Sequence, residues 1–129
     1  MSNKHALIID DNTSNMNVLV RLLEKENVSS TRVLDPKQLK NTLQSIGGVD
    51  IVFLDLEMPM IDGFQVFDQL KADPRFDGVP IVAYTVHVSE LNEAHRYGFD
   101  GFLGKPLDSD RFPDQLQRIF NGEGVWETV

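Results

Sequence analysis

The feature that most constrains this chain is an alternation of short apolar runs with segments of helical period. The runs are Ala6-Leu7-Ile8-Ile9, a weaker Thr31-Arg32-Val33-Leu34, Ile51-Val52-Phe53-Leu54, Pro80-Ile81-Val82-Ala83-Tyr84 and Gly101-Phe102-Leu103. Three of these five are continuously apolar, as strands are when a parallel sheet is covered on both faces. Between them, residues 14–26 carry Met16, Leu19, Val20 and Leu23 on one helical face. Residues 36–46 place Pro36 at a first helical position, with Leu39, Leu43 and Ile46 following. Residues 64–72 carry Phe64, Phe67 and Leu70, and residues 89–97 open on Ser89 as a candidate N-cap and stop at Gly98. The last helix, about 109–121, carries Phe112, Leu116, Ile119 and Phe120, with Gly122 after it.

Five βα units in strict alternation predict an α/β fold, a doubly wound parallel sheet with helices on both faces. Right-handed crossovers leave few topologies, and a five-stranded (βα)5 chain favours the flavodoxin-like strand order 2-1-3-4-5. A length of 129 residues suits one domain, here 1–121, followed by a tail at 122–129. That tail, with two glycines and no period, reads as a flexible end; Trp126 would have nothing to bury against there, so a second reading docks it on this domain or on a partner.

Composition excludes several chemistries. With no cysteine, disulfides, thiolate catalysis and Cys-based metal sites are out. A net charge of −8 argues against direct nucleic-acid binding, where a basic stripe is the expected footprint. The opening apolar run is too short for a signal-peptide core or a membrane span, so no membrane association and a cytoplasmic location are expected. The scattered His5, His87 and His95 do not form a metal-ligand pattern, and His95 reads as solvated or facing a partner.

In open parallel sheets the functional crevice lies beyond the carboxyl ends of the strands. Those ends deliver Asp10-Asp11, Asp55, Thr85 and Lys105, while the second strand offers only Asp35-Pro36, which reads as a helix start. Any one aspartate after a strand is ordinarily a turn or cap residue. Together they form a restrictive set. Two carboxylates about 5 Å apart repel by roughly 3 kcal/mol at an effective dielectric near 20, so three require a cation or a shifted pKa. Oxygen-only ligands suit a hard ion, and few carboxylates with several waters suit Mg²⁺ better than Ca²⁺. Lys105 could then hold a phosphoryl oxygen and Thr85 donate to another. A carboxylate can itself be the nucleophile toward phosphorus, and Asp55 ends the most hydrophobic central strand.

Four motifs in order, Ile8-Ile9-Asp10-Asp11, Leu54-Asp55-Leu56-Glu57-Met58-Pro59-Met60-Ile61-Asp62-Gly63, Tyr84-Thr85 and Lys105-Pro106, resemble the response-regulator receiver domains of two-component signalling. The resemblance covers roughly residues 4–121. It implies a single-domain response regulator that takes a phosphoryl group onto Asp55 from a sensor histidine kinase or a histidine phosphotransfer protein. Asp11 and Asp55 would ligate Mg²⁺ directly, Asp10 would act mainly through water, and the Glu57 backbone carbonyl would complete the site. Thr85 would move toward the phosphoryl group, Lys105 would pair with it, and Phe102 would be the aromatic that changes rotamer, its bland alternative being an ordinary core residue. The Lys105–Pro106 bond is expected cis. Met58-Pro59 and Asp62-Gly63 would frame a rigid loop, Gly63 allowing a tight turn, and Met58 and Met60 read as loop and packing residues.

Three positions depart from the family pattern or bear on the lifetime of the phosphoryl group. Val86 stands where a small residue is usual, Glu57 adds a negative charge beside the site, and His87 lies two residues past Thr85. Phe102 also lacks the hydroxyl of the tyrosine often found there. The expected output is a protein-binding surface around the fourth helix, fifth strand and fifth helix, which leaves a homodimer open. The chain would be a switch with self-catalysed phosphoryl transfer and dephosphorylation rather than an enzyme with its own substrate. Two other readings share the residues: a Mg²⁺-dependent phosphohydrolase using Glu57 as acid-base, and a scaffold that never accepts phosphate.

Overall fold

The computed structural model describes residues 3–58 and 61–127. Five strands and five helices alternate along the chain: β1 (Lys4–Ile9), α1 (Thr13–Lys25), β2 (Val28–Val33), α2 (Leu39–Ser45), β3 (Ile51–Leu54), α3 (Gly63–Lys71), β4 (Ile81–Thr85), α4 (Leu91–Tyr97), β5 (Gly101–Gly104) and α5 (Phe112–Phe120). A sixth strand, β6 (Val125–Glu127), follows. All pair in parallel in the order β2-β1-β3-β4-β5-β6, the flavodoxin-like order with one strand added at the edge. The expectations for Pro59 and Met60 lie outside the described residues. No helix among the described residues is long and apolar enough to cross a membrane.

Strand alternation sorts the core into two layers. Leu7, Ile9, Val52, Leu54, Ile81, Ala83 and Phe102 face the side packed by α2, α3 and α4. Ala6, Ile8, Ile51, Phe53, Val82, Tyr84 and Leu103 face the side packed by α1 and α5. This two-sided burial is why the central runs carry no polar residue until their carboxyl ends.

Local chemistry sets the helix starts. The Asn12 carboxamide accepts from the Asn15 N–H at 2.9 Å to cap α1, and Asp62 accepts from the Phe64 N–H at 2.9 Å to cap α3. Two helices begin differently from the sequence expectation. A 3-10 turn at Pro36–Gln38 precedes α2, with the Asp35 carboxylate accepting from the Lys37 N–H at 3.0 Å. Another 3-10 turn, Val88–Glu90, precedes α4, so Ser89 lies inside that turn and caps nothing. Gly98 does end α4, at φ 115° in the left-handed region.

Of the two readings of the tail, residues 125–127 follow the docked one. Gly122, at φ 86°, ends α5, and the chain then turns back to pair Val125 with Gly101, Trp126 with Phe102 and Glu127 with Leu103. Val125 is buried, and the Trp126 ring packs edge-on against His95 at 4.4 Å between centroids. His95 therefore meets a neighbour within its own chain. The Glu127 carboxylate accepts from Gln115 at 2.8 Å and Arg118 at 2.7 Å, and also pairs with Arg111. A three-residue strand behind two glycines has no readable period, which is why it was invisible in the sequence.

Candidate functional site: a carboxylate cluster with a buried lysine

The site forms where β1, β3, β4 and β5 end. The main-chain N–H of Asp55 donates to the Ile9 carbonyl at 3.0 Å, and that of Lys105 donates to the Thr85 carbonyl at 3.0 Å, so the sheet ladder itself fixes these positions. Asp10, Asp55 and Lys105 are only 0%, 4% and 9% exposed, whereas Asp11 is on the surface. Carboxylate oxygens of Asp10, Asp11 and Asp55 all lie within 4.8 Å of one another.

Lys105 holds this cluster together. Its ammonium donates to Asp10 Oδ2 at 3.0 Å and stands 3.5 Å from Asp55 Oδ2. The same Nζ lies 4.2 Å from the centroid of the Tyr84 ring, whose hydroxyl donates to Asp10 Oδ2 at 2.5 Å. Asp10 Oδ1 accepts from the Asn12 N–H at 2.9 Å. Asp10 is thus saturated by three donors, and it stays below the ordinary carboxylate range. Burial opposes ionisation, but the hydrogen bonds from Tyr84 and Asn12 and the charge of Lys105 outweigh it.

Asp55 is the opposite case. Burial is the largest influence on it and pushes it up to about 7, with the Asp10 charge adding to the rise. One backbone donor, the Glu57 N–H at 3.0 Å, and the more distant Lys105 only partly offset that cost. The pair therefore consists of one carboxylate that is easily ionised and one that needs a positive partner to ionise at neutral pH.

Tyr84 is the residue that reading strand ends missed. Its signal was the strand alternation. Tyr84 shares the face of Val82, and Asp10, Asp55 and Lys105 continue that same face beyond Ile8, Phe53 and Leu103. Thr85 instead falls on the face of Ala83, fully buried, where its Oγ1 accepts from the His87 N–H at 3.2 Å. Phe102 is fully buried between its β4 register partner Ala83 and its β6 register partner Trp126.

The rim is acidic with one imidazole. The Glu57 side chain is turned outward, 3.8 Å from His87 Nε2. Glu90, which the sequence did not single out, has its carboxyl pushed up by partial burial and by the charge of Glu57. Val86 is exposed beside Thr85. The Lys105–Pro106 bond is cis, as the resemblance implied.

The loop after Asp55 is clamped from behind. Glu57–Met58 pairs antiparallel with Ile61–Asp62, which brings the start of α3 against Leu56. A Cβ on Gly63 would lie 2.7 Å from Leu56 Cα and 2.9 Å from the Asp55 carbonyl oxygen. Gly63 is therefore needed for close approach of two backbones rather than for a left-handed turn.

The sheet gathers three carboxylates at its carboxyl edge, two of them beside a buried lysine, and comparison places the chain in one family. Residues 6–117 match the response regulator receiver domain, and the chain belongs to that family. Stress response regulator protein 1 of Scheffersomyces stipitis is 34% identical over 105 residues, covering 78% of this chain but 36% of that protein, so this chain spans about a third of its relative. The response regulator receiver domain (CheY-like) from Methylobacillus flagellatus superposes with a TM-score of 0.79 at 28% identity, covering 92% of this chain and 99% of that one. The receiver domain of sensor histidine kinase PA1611 from Pseudomonas aeruginosa PAO1, described with a magnesium ion coordinated in its active site cleft, gives 0.79 at 23% identity over 93% of this chain and 99% of that one. A role in two-component signalling follows from membership.

Proposed function

We propose that this chain acts as a Mg²⁺-dependent phosphoacceptor switch in which Asp55 receives the phosphoryl group. The observation that carries this reading is the Lys105 ammonium, buried between Asp10 at 3.0 Å and Asp55 at 3.5 Å in the mouth of a three-carboxylate cluster. A buried lysine already neutralises part of the cluster, and a phosphoryl group on Asp55 would offer it a second, doubly charged partner.

The cluster fits a hard divalent cation. Its donors are carboxylate oxygens only, and Asp10, Asp11 and Asp55 can bring them within 4.8 Å of one another. Asp11 and Asp55 would bind directly, with the Glu57 carbonyl beside them. Asp10 would act through water because its oxygens already serve Asn12, Tyr84 and Lys105. The magnesium coordinated in the cleft of the Pseudomonas aeruginosa receiver supports the choice of metal. Bound there, the ion would neutralise charge on the transferring phosphoryl oxygens.

The donor would be a phosphohistidine on a sensor kinase or phosphotransfer protein. A P–O bond to an Asp55 carboxylate oxygen forms as the P–N bond breaks; the bonding pair leaves with the imidazole nitrogen, which takes a proton from solvent. Lys105 holds the charge that accumulates, and Thr85 donates its hydroxyl once it turns toward the phosphoryl group. The product is read by a protein partner on the face made by α4, β5 and α5. The Glu57 carboxylate is turned out to the rim, half exposed and 3.8 Å from His87 Nε2, which favours a switch over a hydrolase using Glu57 as its acid-base. Acetyl phosphate with Mg²⁺ tests the assignment. The intact protein should gain the mass of one phosphoryl group and Asp55→Asn should not; a gain that survives the substitution sinks it.

A further inference from the structure

The face between α4 and α5 is not empty, because β6 covers the β5 edge. Its occupant makes a legible pattern. Val125 is buried, Trp126 packs on His95 and on the apolar layer that contains Phe102, and Glu127 meets Arg111, Gln115 and Arg118. The edge thus recognises an extended segment with an aromatic residue followed by an acid, the mode by which strands add to open sheet edges.

This attachment is built to be reversible. Among the described residues, three form the ladder, and Gly122 and Gly124 precede them. The ion pairs are half open to solvent, with the Arg111 side chain 47% exposed and such pairs contribute little net affinity. Among the described residues of the strand, Val125 alone is fully buried, with Trp126 partly buried on the core layer.

The strand also abuts the segment that carries Lys105. β6 pairs with Gly101, Phe102 and Leu103, and Lys105 follows Gly104 directly. Glu127 lines one narrow cleft with Gly104, Pro106, Leu107 and Asp108. The 105–108 segment therefore lies between the carboxylate cluster on one side and the Glu127 clamp on the other. Lys105 is closer to Asp10 than to Asp55, so a phosphoryl group on Asp55, carrying roughly −1.5 to −2 charge, would draw its ammonium across and shift that segment.

We propose that the β5 edge is a strand-receiving surface filled in cis by residues 125–127, and that a phosphoryl group on Asp55 weakens its hold on that strand and releases β6. The inference rests on the phosphoacceptor reading above. A two-state coupling of ordinary size changes affinity or protection by about 5–150-fold.

Trp126 is the chain's single tryptophan, so its emission reports β6 in the unaltered protein. The full chain is saturated with Mg²⁺ and beryllofluoride, a phosphoryl mimic, and occupancy is followed by fluorine NMR. Amide exchange of residues 125–127 and Gly101–Leu103 should then accelerate at least ~5-fold, and the emission should shift to the red. By reciprocity Glu127→Gln should bind beryllofluoride more tightly by the same factor. In the Glu127→Gln chain, whose own strand holds the edge less firmly, a synthetic peptide of residues 122–127 should bind the free form at least ~5-fold more tightly than the beryllofluoride form, shifting the Gly101–Leu103 amides, and should lose binding when its last Glu is replaced by Lys. Bound fluorine signal with unchanged exchange and emission overturns the release, and equal or absent peptide binding overturns the strand-receiving edge and its coupling to Asp55. Absence of any bound fluorine signal overturns the phosphoacceptor reading instead.

Discussion

Asp55 is buried to 4% exposure and pushed up to about 7, chiefly by desolvation, so ionising it without a metal costs stability. Asp55→Asn removes that cost and the repulsion from Asp10. At pH 8 in EDTA the variant should gain roughly 1–3 kcal/mol, a Tm rise of ~3–10 °C. At pH 4.5, where Asp55 is protonated in wild type, the difference should nearly vanish; a gain independent of pH would show that charge is not its cause. Tyr84→Phe tests the neighbouring carboxylate. It deletes the hydroxyl that donates to buried Asp10 while keeping the ring under Lys105, and urea unfolding should show a loss of roughly 1–3 kcal/mol. Unchanged stability would mean that water replaces the hydroxyl at no cost. Asp10, Asp11, Asp55, Thr85 and Lys105 were legible because each ends a strand run, a one-dimensional signal. Tyr84 was not, since it sits inside an apolar run and its role depends on which face it shares with Asp10.

Elements place these residues, and two glycines show how closely. Gly63 opens α3 with its Cα where a methyl group would press on the Leu56 and Asp55 backbones, neither of which can rotate away. Gly63→Ala should cost about 1–3 kcal/mol by thermal unfolding and slow phosphorylation by acetyl phosphate, because the Glu57 N–H that holds Asp55 lies on the displaced loop. Full activity with lowered stability would confine the clash to packing. Gly124 tests the other end of the chain. A Cβ there would lie 2.6 Å from Trp126 Nε1, so Gly124→Ala should expel the indole and red-shift its emission while leaving the global Tm within a few degrees. A loss of cooperative folding would instead make β6 part of the core. Helix existence and order were readable from periodicity. The 3-10 turns before α2 and α4 were not, because a single turn has too few residues to set a period, and β6 owes its place to the open β5 edge and the burial of Val125, which no local pattern announces.

At the scale of the whole molecule, the two apolar layers hold four strand ends rigidly enough that like charges are kept together instead of spreading apart. That arrangement fixes the sign of the pH response. Asp55 has a raised folded pKa, so between about pH 4 and 7 the folded chain binds more protons than the unfolded one, and metal-free stability falls as pH rises through that window. Asp10 and Glu127 are lowered, so their contributions are present above the ordinary carboxylate range and are lost only as pH falls below it. Under the proposed function, Mg²⁺ bound at Asp55 would reverse that trend, because binding would need the ionised carboxylate and would release a proton below pH 7. The increase in Tm caused by a fixed Mg²⁺ concentration should be largest near pH 8 and should shrink steadily toward pH 5.5, with apparent affinity falling up to about tenfold per pH unit below 7. Calorimetry with and without EDTA across that range measures it. A Mg²⁺ effect of constant size would mean that the ion does not displace a proton from Asp55, and would remove this carboxylate from the set of direct ligands.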